Sequence, residues 1–333
     1  MFLCRNIFLA PNISKMRLKF FLFFTIIFTF HTKASSSKDT LAIDLPPVTH
    51  WEKTNNFRLI FTQNSFVNWS AGGNNSISGI TKINLKRDYK NNHTVWQNEL
   101  KANYGLNKEE KRELRKTDDL MELNSTFGYR KDITSKWYYS AKFNFKTQFA
   151  NGYKYPDKDK PISKFFSPAY NFLGVGSEYF SKENSLKIYL SPLTNKMTFV
   201  FNQVLANEGA FGVEPAVYDD AGNLVKAGEN LKVEVGTYVS GEWNTTVMEN
   251  IKMSNKLILY SDYLNKYGNV DVNWEINFDL TVNKHITANV GSHFLYDDDV
   301  KRKEDINNDG ILVPAGPKIQ IKQLLGVGLF YAF

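Results

Sequence analysis

Cysteine is almost absent from this chain. The single one, Cys4, lies in the first few residues. Downstream of it no disulfide and no thiolate metal site can form. Histidine is scarce, with five residues in 333. No G-x-S-x-G motif occurs, and in "GSHF" (291–294) Ser292 and His293 are neighbours on what reads as a strand. Adjacent strand residues point to opposite faces, so the two cannot pair as nucleophile and base. Long apolar runs are missing too. The one exception is "FFLFFTIIFTF", Phe20 to Phe30, eleven residues long, whereas a membrane helix needs about 20. An enzymatic role is therefore the least favoured of the readings kept open, because no triad can be assembled by role.

Acidic residues are absent from the first 34 positions, which hold Arg5, Lys15, Arg17, Lys19 and Lys33. The whole chain carries a net charge of +7, but without that stretch 36 basic residues face 34 acidic ones. The basicity belongs to the leader, so no nucleic-acid partner is expected. Basic flank, short apolar run and the small-residue stretch "TKASSS" together make a secretory signal. Residues 1–34 are expected to be cleaved before Ser35, with Met16 as an alternative start. Residues 35–56, with Pro46 and Pro47, read as a periplasmic tail.

Aromatics are abundant: 26 Phe, 17 Tyr and 6 Trp, 15% of the chain. That suits strands and a membrane–water interface. From residue 57 onward the recurring pattern is alternation with period two. In "VDVNWEINFDLTVN" (270–283), Val270, Val272, Trp274, Ile276, Phe278 and Leu280 share one face, and Asp271, Asn273, Glu275, Asn277 and Asp279 share the other. "KWYYSAKFNFKTQF" (136–149) repeats the arrangement. These strands run longer than the usual 5–6 residues and reach the roughly 9–11 needed by a tilted strand that crosses a bilayer.

Ten more such segments are found at 57–66, 79–89, 94–105, 118–130, 169–181, 185–192, 231–245, 252–264, 286–297 and 318–333. Counted from a periplasmic start, the connections alternate between short turns and mostly long loops, the asymmetry of outer-membrane barrels. The expectation is an all-β, transmembrane, antiparallel up-and-down barrel of twelve strands over 57–333. "KMTFVFNQVL", inside the 193–230 connection, leaves a fourteen-strand count open. A soluble sandwich or a lipocalin-like barrel would show the same alternation with its faces reversed. Strand length and aromatics near strand ends, such as Tyr89, Trp137 and Tyr263, decide against it.

Several stretches together resemble a bacterial, mainly Bacteroidota, family known as domain of unknown function 3078. They are "FVNWSAGGNNSISG" (66–79), "LRKTDDLMELNSTFGY" (114–129), "WYYSAKFNFKTQFANGYKY" (137–155), "ISKFFSPAYNFLGVG" (162–176), "YLSPLT" (189–194), "LYDDDV" (295–300) and the terminal "GVGLFYAF". The resemblance runs over roughly 57–333 and implies an outer-membrane barrel without an assigned reaction, so it supplies no catalytic residue. The last strand also resembles the signal read by the barrel assembly machinery, with Leu325, Val327, Leu329, Tyr331 and Phe333 at the alternating positions.

One motif suggests a ligand. "EDINNDGIL" places Asp305, Asn307 and Asp309 before Gly310, the first half of a calcium loop. The second half is missing: Gly316 stands where a bidentate Glu belongs, and Pro314 interrupts. Calcium in the 298–317 loop is thus a weak candidate beside a solvated acidic turn. "KEEKRELRK" (108–116) suits a short helix in an external loop facing lipopolysaccharide. The expected partners are outer-membrane lipid, lipopolysaccharide and the assembly machinery. The expected roles are a narrow channel for polar solutes or a barrel that binds a partner through its external loops.

Overall fold

The computed structural model describes residues 50–65, 74–181, 185–265, 267–298, 301–304 and 313–333. Twelve long strands follow one another: β1 (Trp51–Asn64), β2 (Ser76–Lys90), β3 (Thr94–Glu109), β4 (Arg115–Tyr129), β5 (Trp137–Thr147), β6 (Ala169–Ser181), β7 (Leu186–Phe199), β8 (Leu231–Met248), β9 (Ile251–Asp262), β10 (Asp271–Thr281), β11 (Ile286–Tyr296) and β12 (Gln320–Ala332). Each pairs antiparallel with its neighbours in sequence, and β12 returns to pair with β1. The barrel is therefore closed and wound in the up-and-down sense, with every ladder hydrogen bond of the wall made within it.

The alternation decides which face points where. Along β10, Trp274 is exposed on the outer wall, while Asp271, Asn273, Glu275, Asn277 and Asp279 line the interior. Outer positions elsewhere carry Leu100, Leu123, Leu173, Val175, Leu190 and Val233, all exposed. An apolar outside around a charged inside inverts the order of a soluble barrel and matches a wall built against lipid. Outward tryptophans keep their indole N–H satisfied within the wall. Trp96 Nε1 donates to Ser125 Oγ at 2.9 Å and Trp274 Nε1 to Asn255 Oδ1 at 3.1 Å.

Aromatic rings collect at both rims. At the short-turn end Trp51 packs between Tyr89 and Trp96, and Trp137 packs on Tyr179. At the long-loop end Phe166 stacks on Phe201 and Tyr263 packs on Tyr267. Rings with one apolar and one wet side belong at such boundaries.

Three strand assignments differ from the sequence reading. First, β1 begins at Trp51, six residues before the expected start, because β2 runs to Lys90 and offers Tyr89 as the partner of Trp51. Second, β7 does not stop at Pro192. It continues through Phe199, and the wall holds twelve strands, not fourteen. Pro192 sits in a bulge, where the pairing shifts between Gly236 and Tyr238 on β8 and between Val175 and Ser177 on β6. A bulge is where a strand tolerates a residue without an N–H. Third, 108–116 forms no helix. It provides the end of β3, a tight turn with Lys111 at φ 62°, and the start of β4. The β2–β3 ladder extends to Ser76 opposite Glu109, and its hydrogen bonds outweigh a weak helical preference.

The connections keep the expected asymmetry except between β3 and β4, where residues 110–114 make a tight turn in place of the long loop expected there. Asp132 fixes one short turn by accepting from the N–H and the hydroxyl of Thr134, both at 2.8 Å, and these bonds hold its carboxyl below the ordinary range. The longest connection, 200–230, folds on itself. Asn202 caps the short helix α1 (Gln203–Asn207) by accepting from Leu205 N. Val200, Leu205, Ala206 and Val213 form a small core beneath it, and Val217–Tyr218 pairs with Leu224–Lys226 in a hairpin.

Candidate functional site

The lumen is the candidate site, since it collects the polar face of all twelve strands. On the long-loop side it opens into a cavity of about 760 Å³. A second, smaller chamber of about 80 Å³ lies toward the short turns, reaching Asp88, Gln97 and Glu178.

Several charged side chains reach across the large cavity, beside others that pair along its wall. Arg58 on β1 donates to both carboxylate oxygens of Asp279 on β10, at 2.8 and 3.2 Å. Lys196 on β7 reaches Asp271 on β10 at 2.9 Å and Glu234 on β8 at 3.4 Å. Lys322 on β12 stands 3.0 Å from Asp118 on β4. Lower down, Lys187 on β7 donates to Gln97 on β3 at 3.0 Å. Apart from Lys196–Glu234, which joins the adjacent strands β7 and β8, these pairs join strands three or four places apart, so they act as struts across the bore. Isolated charges in such a space would be costly, and pairing offsets the desolvation.

One stretch of wall differs. Tyr189, Tyr238 and Tyr260, from β7, β8 and β9, turn inward as a buried cluster with Phe172 and Ile258 against it. Lys196 Nζ lies 4.9 Å from the Tyr260 ring centre. Lys142 Nζ lies 5.1 Å from that of Tyr189 and 5.6 Å from that of Tyr238. The rings give the lysines an electronegative surface to rest on.

The rim above the lumen is clamped. Lys116 Nζ donates to Asp119 Oδ2 at 2.7 Å, to Gln148 Oε1 at 3.1 Å and to the Ala150 carbonyl at 2.7 Å. Asp119 in turn accepts from the N–H groups of Phe149 and Ala150, at 2.7 and 2.8 Å. The first residues of the 148–168 loop are thereby tied to β4. Glu113 and Lys158 pair across the same rim, and each shifts the other: the contact lowers the Glu113 carboxyl and raises the Lys158 ammonium.

The residues singled out from sequence fall in different places. Asp305, Asn307 and Asp309 lie outside the described residues, bracketed by the hairpin of Lys301–Glu304 with Val313–Pro317. Among the described residues no group of His, Asp and Glu is arranged to hold a metal ion. Leu325, Val327, Leu329, Tyr331 and Phe333 all face outward and are exposed. His293 faces the lumen, with Nε2 2.8 Å from Asn273 Oδ1 and 3.9 Å from Glu275. Ser292 sits on the other face, opposite Ile276. The Lys142–Tyr189–Tyr238 arrangement has no signal in the sequence beyond three inward positions on separate strands.

The family described as "Protein of unknown function (DUF3078)" matches residues 61–153, which takes in the first three of the resembling stretches almost whole. No curated protein matches the chain. Among solved structures, it overlays on an outer membrane channel from Pseudomonas putida F1 with a TM-score of 0.38, 10% identity, and coverage of 89% of this chain and 100% of that one. The translocator domain of autotransporter NalP from Neisseria meningitidis gives 0.34, 9% identity, 86% and 90%. The beta domain of the Bordetella autotransporter BrkA gives 0.33, 9% identity, 84% and 98%. Overlaps this loose leave the architecture to be judged from the chain's own strand pairing.

Proposed function

We propose that this chain, which carries the DUF3078 pattern in its first five strands, is an outer-membrane barrel that passes small polar solutes through its lumen. The supporting observation is the charged cavity of about 760 Å³, continued by the smaller chamber toward the short turns. Twelve strands enclose a bore between the filled eight-stranded barrels and the open sixteen-stranded porins. The cross-lumen pairs divide this space, which suits ions and small polar molecules rather than a folded chain. The location is supported by the apolar outer wall, the two aromatic rims and the strand lengths. The export signal over 1–34 and the assembly role of the outward face of β12 belong to the same reading.

Purified barrel, shown to be folded by its heat-dependent shift on a gel, should give small conductance steps in planar lipid bilayers. Folded barrel that carries no current would remove the passage reading.

A second reading is favoured by one feature. The 200–230 connection is ordered, and its hairpin presents Val217, Tyr218, Leu224 and Val225 all exposed. A loop built this way suits recognition of another surface molecule. Deleting 217–226 should leave conductance unchanged if the lumen is the functional part. It should abolish cell-surface association if the loop is.

A further inference from the structure

The large cavity and the small chamber touch the same side chains at one level only. Among the described residues, those lining both are Lys86, Asn124, Lys142 and Lys256. They form the neck of the bore. The three lysines come from β2, β5 and β9, set round the wall rather than side by side.

Their charges are not equivalent. Lys86 stands 3.3 Å from Glu99, and Lys256 stands 3.8 Å from Glu242. Both carboxylates line the chamber below the neck. Among the described residues no carboxylate lies within ion-pair distance of Lys142. Its supports are the Tyr189 and Tyr238 rings and, at 3.5 Å, Ser240 Oγ. An aromatic face holds a cation in place but leaves its charge in force. Lys142 therefore presents a positioned ammonium that makes no ion pair, with Glu178 and Glu242 acting on it only from beyond ion-pair distance, and two further lysines share the neck. Rings of lysine or arginine at a constriction are how pores favour anions, and an ammonium is a point-charge donor for oxyanions.

We propose that this neck is a binding site for small inorganic oxyanions, and that Lys142 is its specificity-determining residue. As a filter it rests on the passage reading; as a binding site it does not. Two measurements keep them apart. Under a KCl gradient in planar bilayers, the native barrel should show an anion-favouring reversal potential. Lys142→Arg should retain it, Lys142→Gln should weaken it, and Lys142→Glu should reverse its sign. In detergent, calorimetric titration of the folded barrel with inorganic phosphate should show binding. Lys142→Gln should weaken it by about tenfold, the loss of one charge-assisted hydrogen bond. Lys284→Gln, exposed in the short turn between β10 and β11, should leave it unchanged.

Current with a reversal potential indifferent to Lys142→Glu, together with phosphate binding indifferent to Lys142→Gln, overturns the neck site and leaves the passage intact. Lys142-dependent phosphate binding without current removes the passage and keeps the site. Neither current nor phosphate binding in a folded barrel removes both. Each variant is checked for the heat-dependent gel shift, so that loss of folding is not read as loss of binding.

Discussion

The seam where β12 meets β1 and the wall formed by β7, β8 and β9 solve one steric problem with different chemistry. At the seam Ile60 points inward and is 1% exposed. Gly326 and Gly328, on the same face of β12, leave the space it fills; a Cβ on Gly328 would come within 3.1 Å of Ile60 Cγ1. On the wall, Tyr260 occupies the space beside Gly236, where a Cβ would sit 3.0 Å from its ring, and Tyr189 the space beside Gly174, where one would sit 3.1 Å from its hydroxyl. In both regions a glycine on one strand admits a large side chain from the next, the small-beside-large filling of a narrow barrel. At the seam the large group is aliphatic and the gain is closure. On the wall it is a tyrosine, and the ring also supports a lysine in the lumen. The same packing device thus serves stability in one place and electrostatics in the other.

Substitutions can test that division. Ile60→Ala should have the largest effect on stability, roughly 2–5 kcal/mol for an emptied buried site, read as a lower temperature for the gel shift. An effect smaller than that of Tyr238→Leu would reverse the assignment of roles. Gly326→Val should cost roughly 1–3 kcal/mol by overpacking against Ile60. Combined with Ile60→Ala it should cost less than the two changes added, since one cavity accepts the other's bulk; strict additivity would show that the two residues do not share the space. Tyr238→Leu should cost roughly 0.5–2 kcal/mol, the scale of a lost ring–cation contact, while changing ion selectivity more than either seam variant does. Arg58→Met should alter stability least, by about 0–1 kcal/mol, because Asp279 is 36% exposed and keeps its hydrogen bond from Asn289. It should widen the bore and raise conductance, and an unchanged conductance would mean that the Arg58–Asp279 strut does not span the path.

Much of the wall was legible because period-two alternation is a local property. Asp271–Thr281 shows its faces in eleven consecutive letters, and the structure orients them as expected. The misreadings are equally local in origin. Pro192 looks like a strand end when only its missing N–H is considered, and a bulge between two neighbours is invisible from one strand. Residues 108–116 carry charges at helical spacing, but Lys108 and Glu109 are recruited by β2 and Arg115 and Lys116 by β3, and neither pairing leaves a mark in the segment itself. Trp51 to Asn56 lack a clean apolar face, so the sequence alone places them in the tail; pairing with Tyr89 to Asn84 of β2 draws them into the ladder. The lumen was legible as a list of inward residues. Its struts were not, because Arg58 and Asp279 are 221 residues apart and meet only when the sheet closes.

The sequence by itself determined the strands, the number of crossings up to one ambiguous hairpin, and which side chains face lipid and which face water. Those follow from the two-residue period, which each strand carries independently of the others. Only the tertiary structure decided which inward residues oppose one another, where the bore narrows, and which neck lysine makes no ion pair. Closure sets all three, since it fixes the stagger of every strand against strands it never touches in sequence.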